Sequence, residues 1–506
     1  MQKNSILGGA LLLTGANLLL RLVSIVFNVF LSQRIGASGL GLLQLISTVG
    51  VFAGLVGSSG VRIAAMCLSA EEFGRRRLGG VRAAVSTCLG YGLLVSSAAG
   101  VLLFFFAKPI AQHLLADERA SLSLCVMGLL LPFSCLSGIM SGYCTACGRI
   151  RQLVIIQIAE RLASLLLTAA LLLTWAKEDL SRSCCAIVLG SSLGSIFDFV
   201  FLYFLYRRDM HQVNTPKEPL QMRKRLLHLC IPLALNDYLR AGLNTAEQLL
   251  IPFGLAKYGG SGEAALASYG VIHAMVFPVL MFPAAILYSV SDLLVPELSR
   301  SRAMGRKLRI VDVTDKCLRM TLLFACAVSG VFFCCAKSLG LLIYDNYEAG
   351  RYLKFFAPIV LMLYLDAITD GMLKGMAEQI SCVRYNTLTS FFDVALLFLL
   401  LPKWGIGGYL FSFTLTHAIN LLLSLRRLLQ VTGHRPALFQ LLRPVFCLLP
   451  ALLVTMLLPE GLLRGVFLLV LFLPLCLLSD ALTGKDLRWL RKVFQRKKGV
   501  SHSHPQ

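Results

Sequence analysis

Long apolar stretches recur along the whole chain, and short breaks rich in charged residues, Gly or Pro separate them. A bilayer core about 30 Å thick needs roughly 20 apolar residues per helix. An unpaired backbone cannot face lipid, so each stretch is predicted to be an α-helix rather than a lone strand. The predicted transmembrane spans are 8-31, 42-68, 82-107, 121-145, 153-176, 184-206, 226-253, 264-292, 317-343, 353-377, 385-402, 406-429, 437-458 and 462-481.

Composition agrees with a lipid-facing surface, since 57% of the residues are hydrophobic and only 15% are charged. Soluble domains carry about 25% charged residues. We therefore predict an all-α polytopic membrane protein with about 14 transmembrane helices. The first span contains Asn17 and Arg21 and is expected to be a membrane helix, not a cleaved signal peptide. Sixteen Cys lie mostly within apolar runs. They contain a single C-x-x-C, Cys144 and Cys147, and are expected to be packing residues rather than zinc ligands.

The formal charge of +22 is concentrated in alternate loops. With both termini placed inside, the inside loops hold the clusters Arg75-Arg76-Arg77, Arg223-Lys224-Arg225, Arg306-Lys307 and the tail 482-506. This is the positive-inside pattern, which predicts cytoplasmic termini in a cell membrane. The basic tail is expected to contact anionic lipids of the inner leaflet. The distribution argues against nucleic acid as a partner.

The two halves of the chain resemble each other at similar offsets. The matching positions are Asn17 and Arg21 with Asn236 and Arg240 (offset 219), Gly74-Arg75-Arg76 with Gly305-Arg306-Lys307 (offset 231), Ser141-Gly142 with Asp370-Gly371, and Arg151 and Glu160 with Arg384 and Asp393 (offset 233). An even number of helices separates the copies, so the repeats are predicted to be parallel. The predicted domains are an N-lobe 1-206, a linker 207-225, a C-lobe 226-430, two further spans in 431-481 and the tail 482-506.

Polar residues form a stripe along two predicted helices. In span 1, Asn17, Arg21 and Asn28 share one face with Thr14 and Ser24. In span 7 a similar face carries Asp237, Arg240 and Asn244. Charges within a membrane span mark functional sites by default, so these faces are candidates for a water-filled cavity. Contact between helices is the alternative.

Other charged residues within spans leave alternatives open. Arg62 in span 2 faces the same cavity or extends to the cytoplasmic interface. Glu160 and Arg161 are candidates for an ion pair or a gate, and Asp370 with Lys374 forms a second candidate pair.

Several residues with side-chain oxygens lie in spans 7 and 11. Asp237, Asn386 and Asp393 supply oxygens suited to Na⁺, while carboxylates also suit a proton relay. No cofactor is expected beyond such a coupling ion, Na⁺ or H⁺.

The sequence has no P-loop, no H-E-x-x-H and no Gly-rich dinucleotide turn. The predicted loops are too short for a catalytic domain. The chain is therefore predicted not to be an enzyme, and a gradient or the substrate itself would supply the energy. A membrane glycan polymerase or glycosyltransferase and a non-transporting scaffold are the alternatives from other classes.

Several segments resemble one family of transporters. They are Leu11-Leu12-Leu13-Thr14, I-G-A-S-G-L-G-L-L-Q-L at 35-45, S-S-G-V-R-I-A at 58-64, G-Y at 142-143, Q-I-A-E-R at 157-161 and L-P-K-W-G-I-G-G at 401-408. In order and spacing the chain resembles the stage V sporulation protein B-like, polysaccharide-transporter branch of the multidrug/oligosaccharidyl-lipid/polysaccharide (MOP) flippase superfamily, over about 1-480.

The resemblance implies a two-lobe, MATE-like architecture working by alternating access, with spans 13 and 14 forming a groove for a lipid tail. It implies a lipid-linked sugar as substrate, lipid II in particular, and a protein that acts as a monomer. Relatives carrying lipid II have cavity arginines in spans 1, 2 and 8. Arg21 matches the span 1 position in kind, and Arg62 lies in span 2, where many relatives have Pro. Span 8 here has no Arg, only His273, and Arg240 lies in span 7.

The resemblance also implies a Na⁺ site between spans 7, 11 and 12, for which Asp237, Asn386, Asp393 and Thr414 are the candidates. A cation-coupled multidrug exporter of the same fold is the nearest alternative function.

Overall fold

A computed structural model of the chain describes residues 3–58, 60–176, 179–211, 213, 219–259, 261–434 and 437–482, and within the helices a few side chains are also left undescribed. The described residues are almost entirely helical and contain no β-strand. The helices are α1 (Lys3–Ser58), α2 (Val61–Gly74), α3 (Leu78–Pro109), α4 (Ser121–Ala146), α5 (Ile150–Thr174), α6 (Leu180–Met210), α7 (Pro219–Lys257), α8 (Gly262–Gly270), α9 (Phe277–Met281), α10 (Ala284–Ala303), α11 (Lys307–Tyr344), α12 (Tyr347–Phe356), α13 (Val360–Gly375), α14 (Gln379–Trp404), α15 (Ile406–Thr432), α16 (Leu438–Met456) and α17 (Leu463–Leu478).

Each of the predicted spans overlaps one or more of these helices, which confirms the all-α membrane class. Within the described residues, eleven helical segments are long and apolar enough to cross a bilayer. One of them, Leu19–Gly74, contains the second half of span 1 and all of span 2. Helix α7 is not among the eleven, and Leu463–Leu478 is apolar but shorter. The number fourteen therefore stays a prediction.

Two glycines interrupt the helical backbone, one between predicted spans 1 and 2 and one inside span 2. At Gly36 the backbone of α1 is non-helical, with φ 67° and ψ −177°, so the helix consists of two pieces that meet at this residue. Gly60, with φ 71°, separates α1 from α2 in the middle of span 2. Only glycine adopts such positive φ values without steric cost. Span 2 is therefore a broken helix, and Arg62 lies at the second residue of its second part.

The chain packs as two compact units. The first comprises Met1–Ala274 and Leu397–Gly405, and the second comprises Met275–Leu396 and Ile406–Gln506. In the first unit, buried side chains of α2, α3, α4, α6 and α7 form a continuous core that includes Val61, Val85, Ile139, Leu202 and Leu226. In the second unit, α16 and α17 pack against α11 around Cys326, Leu448, Leu468 and Phe472. These units are defined by packing, whereas the predicted lobes are defined by the repeat, and the lobe boundaries stay a prediction.

Helix α8 approaches the second piece of α1 at van der Waals contact of the backbones. A Cβ added to Gly41 would lie 2.0 Å from the carbonyl oxygen of Leu266. A Cβ added to Gly270 would lie 2.1 Å from the carbonyl oxygen of Ala37. Small residues at such crossings let membrane helices pack closely where no hydrophobic effect drives their association. Both glycines are thus required by this helix pair.

The two units contain similar ion pairs with the charges exchanged. Arg149 Nη2 lies 2.5 Å from Asp209 Oδ1 in the first unit. Glu378, at the offset of 229 from Arg149 that also links Ser141 to Asp370, is bound by Arg427, with Nη2 2.8 Å from Oε1. The hydrogen bonds from Arg427 and Ser381 hold the pKa of Glu378, in the turn between α13 and α14, below its usual range. The turn between α4 and α5 is thus bound to α6, and the turn between α13 and α14 is bound to α15.

Candidate functional site

The first piece of α1 carries a polar face that other elements of the first unit contact. Arg161 of α5 donates from Nη2 to Ser24 Oγ at 3.2 Å. Asn28 donates from Nδ2 to the carbonyl oxygen of Ala274 at 3.3 Å. Arg21, one turn before Ser24, has an exposed side chain. The side chain of Asn17 lies outside the described residues. The structure therefore brings Arg161, expected at an ion pair or gate, to the stripe that contains Arg21.

The second piece of α1 and α2 run antiparallel to α7 in a constant register. Thr48 donates to Gln248, and eight residues further along α1 the carbonyl oxygen of Val56 accepts from Tyr238 Oη at 3.0 Å. Beyond the break at Gly60, Glu72 Oε1 of α2 lies 2.8 Å from Arg225 Nη1. Moving toward the end of α2 always means moving toward the start of α7. These contacts determine which turn of α7 lies beside each turn of α1 and α2.

This register gives the positions of two predicted cavity arginines, Arg62 and Arg240, along the helix axis. Interpolation between the Tyr238 and Arg225 contacts places Arg62 level with the α7 turn that follows Ile231, about seven residues before Arg240. At 1.5 Å per residue the two turns are about 10 Å apart along the axis. The stem of Arg62 passes Gly138 of α4, where an added Cβ would lie 3.8 Å from its Cδ.

Exposure distinguishes these cations from helix-contact residues. The side chains of Arg21, Arg62, Arg240 and Asn244 are all exposed, and Asp237 is half-buried. Within a membrane span an exposed arginine faces either hydrocarbon, at a cost of several kcal/mol, or water inside the protein. Arg also presents a planar set of donors that matches phosphate oxygens in a bidentate geometry. The first unit thus presents cations suited to an anionic headgroup.

The second unit contains a network of acids and amides on α13, α14 and α15. Asn420 donates from Nδ2 to both carboxylate oxygens of Asp366 at 3.1 Å. Asn386 donates to Asp370 Oδ2 at 3.5 Å, and Thr389 donates to Asn420 Oδ1 at 3.5 Å. Asp370 Oδ1 is buried and has no hydrogen-bond partner among the described residues.

The other candidates for the predicted ion site, Asp393, Thr414 and Asp237, make other contacts. Asp393 Oδ1 accepts from Ser412 at 2.6 Å and from Thr416 at 3.2 Å. Thr414 donates to the carbonyl oxygen of Leu410 in its own helix. Asp237 belongs to the first unit and these residues to the second, so a site that joins them stays a prediction.

Two further features bear on the predicted ion pair and ion site. The side chain of Lys374 is exposed, one turn beyond Asp370. In the described part of the chain no group of three or more His, Cys, Asp or Glu is arranged to hold a metal ion.

A third polar cluster, in the first unit, escaped the sequence analysis. Asp198 of α6 is 7% exposed and accepts from Ser137 of α4. Glu160 of α5 lies beside it, with Oε1 2.5 Å from the position of a Cβ on Gly194. The sequence shows Asp198 only as a lone acid in an aromatic run, but aligning span 6 with span 12 would have paired it with Asn420 at an offset of 222.

Comparison with known proteins identifies the family. Residues 6–302 match the model of the family described as polysaccharide biosynthesis protein. The chain belongs to this family. It is 23% identical over 421 residues to stage V sporulation protein B of Bacillus subtilis (strain 168), covering 81% of this chain and 80% of that protein. The resemblance to stage V sporulation protein B-like members is thereby confirmed.

Solved structures confirm the fold class. A structure of lipid II flippase MurJ in an inward closed conformation matches with a TM-score of 0.72, covering 95% of this chain and 98% of that one at 14% identity. A structure of the MATE multidrug transporter DinF-BH matches with a TM-score of 0.61, covering 86% and 98% at 13% identity. The chain has the fold of MOP-superfamily transporters. These proteins are a flippase and transporters, in agreement with the predicted absence of enzymatic activity.

Proposed function

We propose that this protein is a flippase that moves an undecaprenyl-diphosphate-linked sugar, a lipid II-like peptidoglycan precursor or oligosaccharide, from the inner to the outer leaflet by alternating access. The observation that carries the proposal is the exposure of Arg21, Arg62 and Arg240 within predicted spans 1, 2 and 7. A diphosphate carries the charge and the oxygen acceptors that such arginines bind. Asn28 and Asn244 lie on the same faces and are proposed to bind the sugar.

The comparisons support this assignment from a different direction. The family is one of polysaccharide biosynthesis, one relative is a sporulation protein, and one structure of the same fold is that of a lipid II flippase. We accordingly place the protein in the plasma membrane, with both termini in the cytoplasm, the basic tail at anionic lipids and a role in the spore or vegetative cell wall. It acts as a monomer.

The test measures lipid II at the outer leaflet of cells depleted of their own flippase. Wild type is expected to restore exposure, and Arg21→Ala, Arg62→Ala and Arg240→Ala are each expected to reduce the initial rate at equal expression. Losing one charge-assisted contact of about 1.5–3 kcal/mol corresponds to about 10- to 150-fold. Arg→Lys at each position keeps the charge but loses the bidentate geometry, and is expected to retain partial activity.

Arg351→Ala is the matched control, because this arginine is exposed on α12 outside the three faces. It is expected to behave as wild type. If well-expressed wild type restores no lipid II exposure, lipid II is not the substrate. Export of cationic dyes by the same cells, lost in carboxylate variants but not in the arginine variants, would instead assign the multidrug exporter of the same fold.

A further inference from the structure

The acids of the two repeats differ in how many hydrogen bonds they accept. In the second unit, Asp393 accepts from Ser412 and Thr416, and Asp366 accepts from Asn420. The offset of 233 that pairs Glu160 with Asp393 was noted in the sequence. At the span-12 offset of 222, Ser412 and Thr416 correspond to Gly190 and Gly194, which have no hydroxyl to donate. The first repeat therefore keeps the acid but has lost both donors.

The equivalent of the Asp366–Asn420 bond is also present, with acid and donor exchanged. Ser137 corresponds to Asp366 at the offset of 229, and Asp198 corresponds to Asn420 at 222. Ser137 donates to Asp198 Oδ2, which satisfies one oxygen. The other, Asp198 Oδ1, is buried and receives no hydrogen bond from any described residue. The side chain as a whole is 7% exposed, so bulk water does not supply the missing donor.

A second carboxylate, that of Glu160, lies within electrostatic range of Asp198. Glu160 interacts electrostatically with both Asp198 and Arg161. Gly194 lies one helical turn before Asp198, and the absence of a side chain there leaves the space that the Glu160 carboxylate occupies. No described residue donates a hydrogen bond to Glu160. Two carboxylates that share a buried site cannot both ionise without a large electrostatic cost.

The charged and titratable groups on the surrounding helices are few. From α5 the cation is Arg161, which is already bound to Ser24 of α1. From α1, Arg21 lies one turn before Ser24. From α4, the thiol of Cys144 lies within electrostatic range of Asp198, and Arg149 with Asp209 forms its own ion pair. Arg161 is the cation that acts electrostatically on Glu160, and its single charge leaves one of the two negative charges to be neutralised.

We propose that Glu160 and Asp198 form a proton-binding site in the first unit, with one proton held between Asp198 Oδ1 and the Glu160 carboxylate. The proton supplies the donor that the repeat has lost and cancels the surplus charge. Resting on the proposed function, we assign this site to coupling: the proton is taken from water on one side, carried while the carboxylates are buried, and released to water on the other side.

The first measurement is independent of transport. In infrared difference spectra of the full chain in proteoliposomes, wild type is expected to show the C=O band of a protonated carboxyl at neutral pH and to lose it at alkaline pH. Asp198→Asn and Glu160→Gln are expected to lack the band. Glu348→Gln removes an exposed acid of α12 and is expected to keep it. Asn is compatible with the packing at residue 198, since the equivalent position is Asn420, and monodisperse elution checks folding.

The second measurement is flipping of a lipid-linked sugar in the same vesicles with and without a pH gradient. Wild type is expected to respond to the gradient, and Asp198→Asn is expected to be indifferent to it. A neutral-pH band that persists in both acid variants, or its absence in wild type, overturns the proton site even if flipping is normal. A band that Na⁺ displaces reversibly in wild type also overturns it in favour of a metal cation. Wild type that titrates as expected but flips no lipid-linked sugar refutes the proposed function and leaves the site standing.

Discussion

The ionic contact between α2 and α7 offers a quantitative test of the register on which the arrangement of the cavity arginines depends. Arg225 Nη1 lies 2.8 Å from Glu72 Oε1, and Arg225 Nη2 lies 2.5 Å from Glu71 Oε2. The Glu72 side chain is 5% exposed, whereas those of Arg225 and Glu71 are 34% and 45% exposed. Arg75, at 3.5 Å, is the second cation near Glu72. Removing Arg225 therefore leaves a buried carboxylate with a distant partner.

The cost follows from these exposures. Breaking a fully buried ion pair costs about 3–5 kcal/mol, and exposed pairs contribute about 0–1 kcal/mol. Arg225 is partly exposed to solvent, and Arg75 remains near Glu72 after the substitution. The loss of stability expected for Arg225→Ala therefore lies between these limits, at about 2 kcal/mol. Glu71→Ala removes only the exposed part of the contact and is expected to cost less than about 1 kcal/mol.

Thermal unfolding of the purified protein in detergent measures the effect. The apparent melting temperature is expected to fall for Arg225→Ala, and to fall much less for Arg223→Ala, an exposed arginine two residues earlier on α7. Glu72→Ala combined with Arg225→Ala should lower it by less than the two single changes together, because each removes the same contact. Equal melting temperatures for Arg225→Ala and Arg223→Ala, or strict additivity in the double variant, would refute the proposed register.

Two further predictions concern single contacts. The Arg427 contact lowers the pKa of Glu378, so the ionised acid stabilises the fold at neutral pH, and this contribution is lost as the pH falls below about 4.3. The difference in melting temperature between wild type and Glu378→Gln should therefore vanish in acid. A difference that does not depend on pH would contradict the assignment. Gly270→Ala places a methyl group 2.1 Å from the carbonyl oxygen of Ala37 and should cost about 1–3 kcal/mol. Gly90→Ala, in α3 with no atom within 4 Å, should leave the melting temperature unchanged or higher, and equal losses at both positions would disprove the close approach.

Much of the fold could be predicted without tertiary information, because hydropathy and charge distribution are local properties of the chain. Apolar length alone predicted a helix at each span, and the repeat was detected from pairs such as Glu160 and Asp393. The same repeat, extended to span 6, would have singled out Asp198. The break at Gly60, inside predicted span 2, was not predicted, because a glycine within an apolar run is compatible with an unbroken helix until its backbone conformation is known.

The candidate site was predicted only in part. Arg21 and Arg240 were chosen from the repeated polar faces; both side chains are exposed, and their role in binding stays a prediction. Arg161 was expected at an ion pair or a gate, and only packing places it on Ser24. Thr414 has the right chemistry for an ion ligand, but its hydroxyl bonds to its own helix.

The sequence by itself determined that this is a membrane protein of repeated helices with basic loops and cationic helix faces, because lipid imposes length and composition on each span separately. The tertiary structure decided which polar groups meet. The partners of Asp198, Glu72 and Asp366 lie 61, 153 and 54 residues away along the chain. No local pattern encodes such contacts, because each depends on the helix crossings and registers that packing sets.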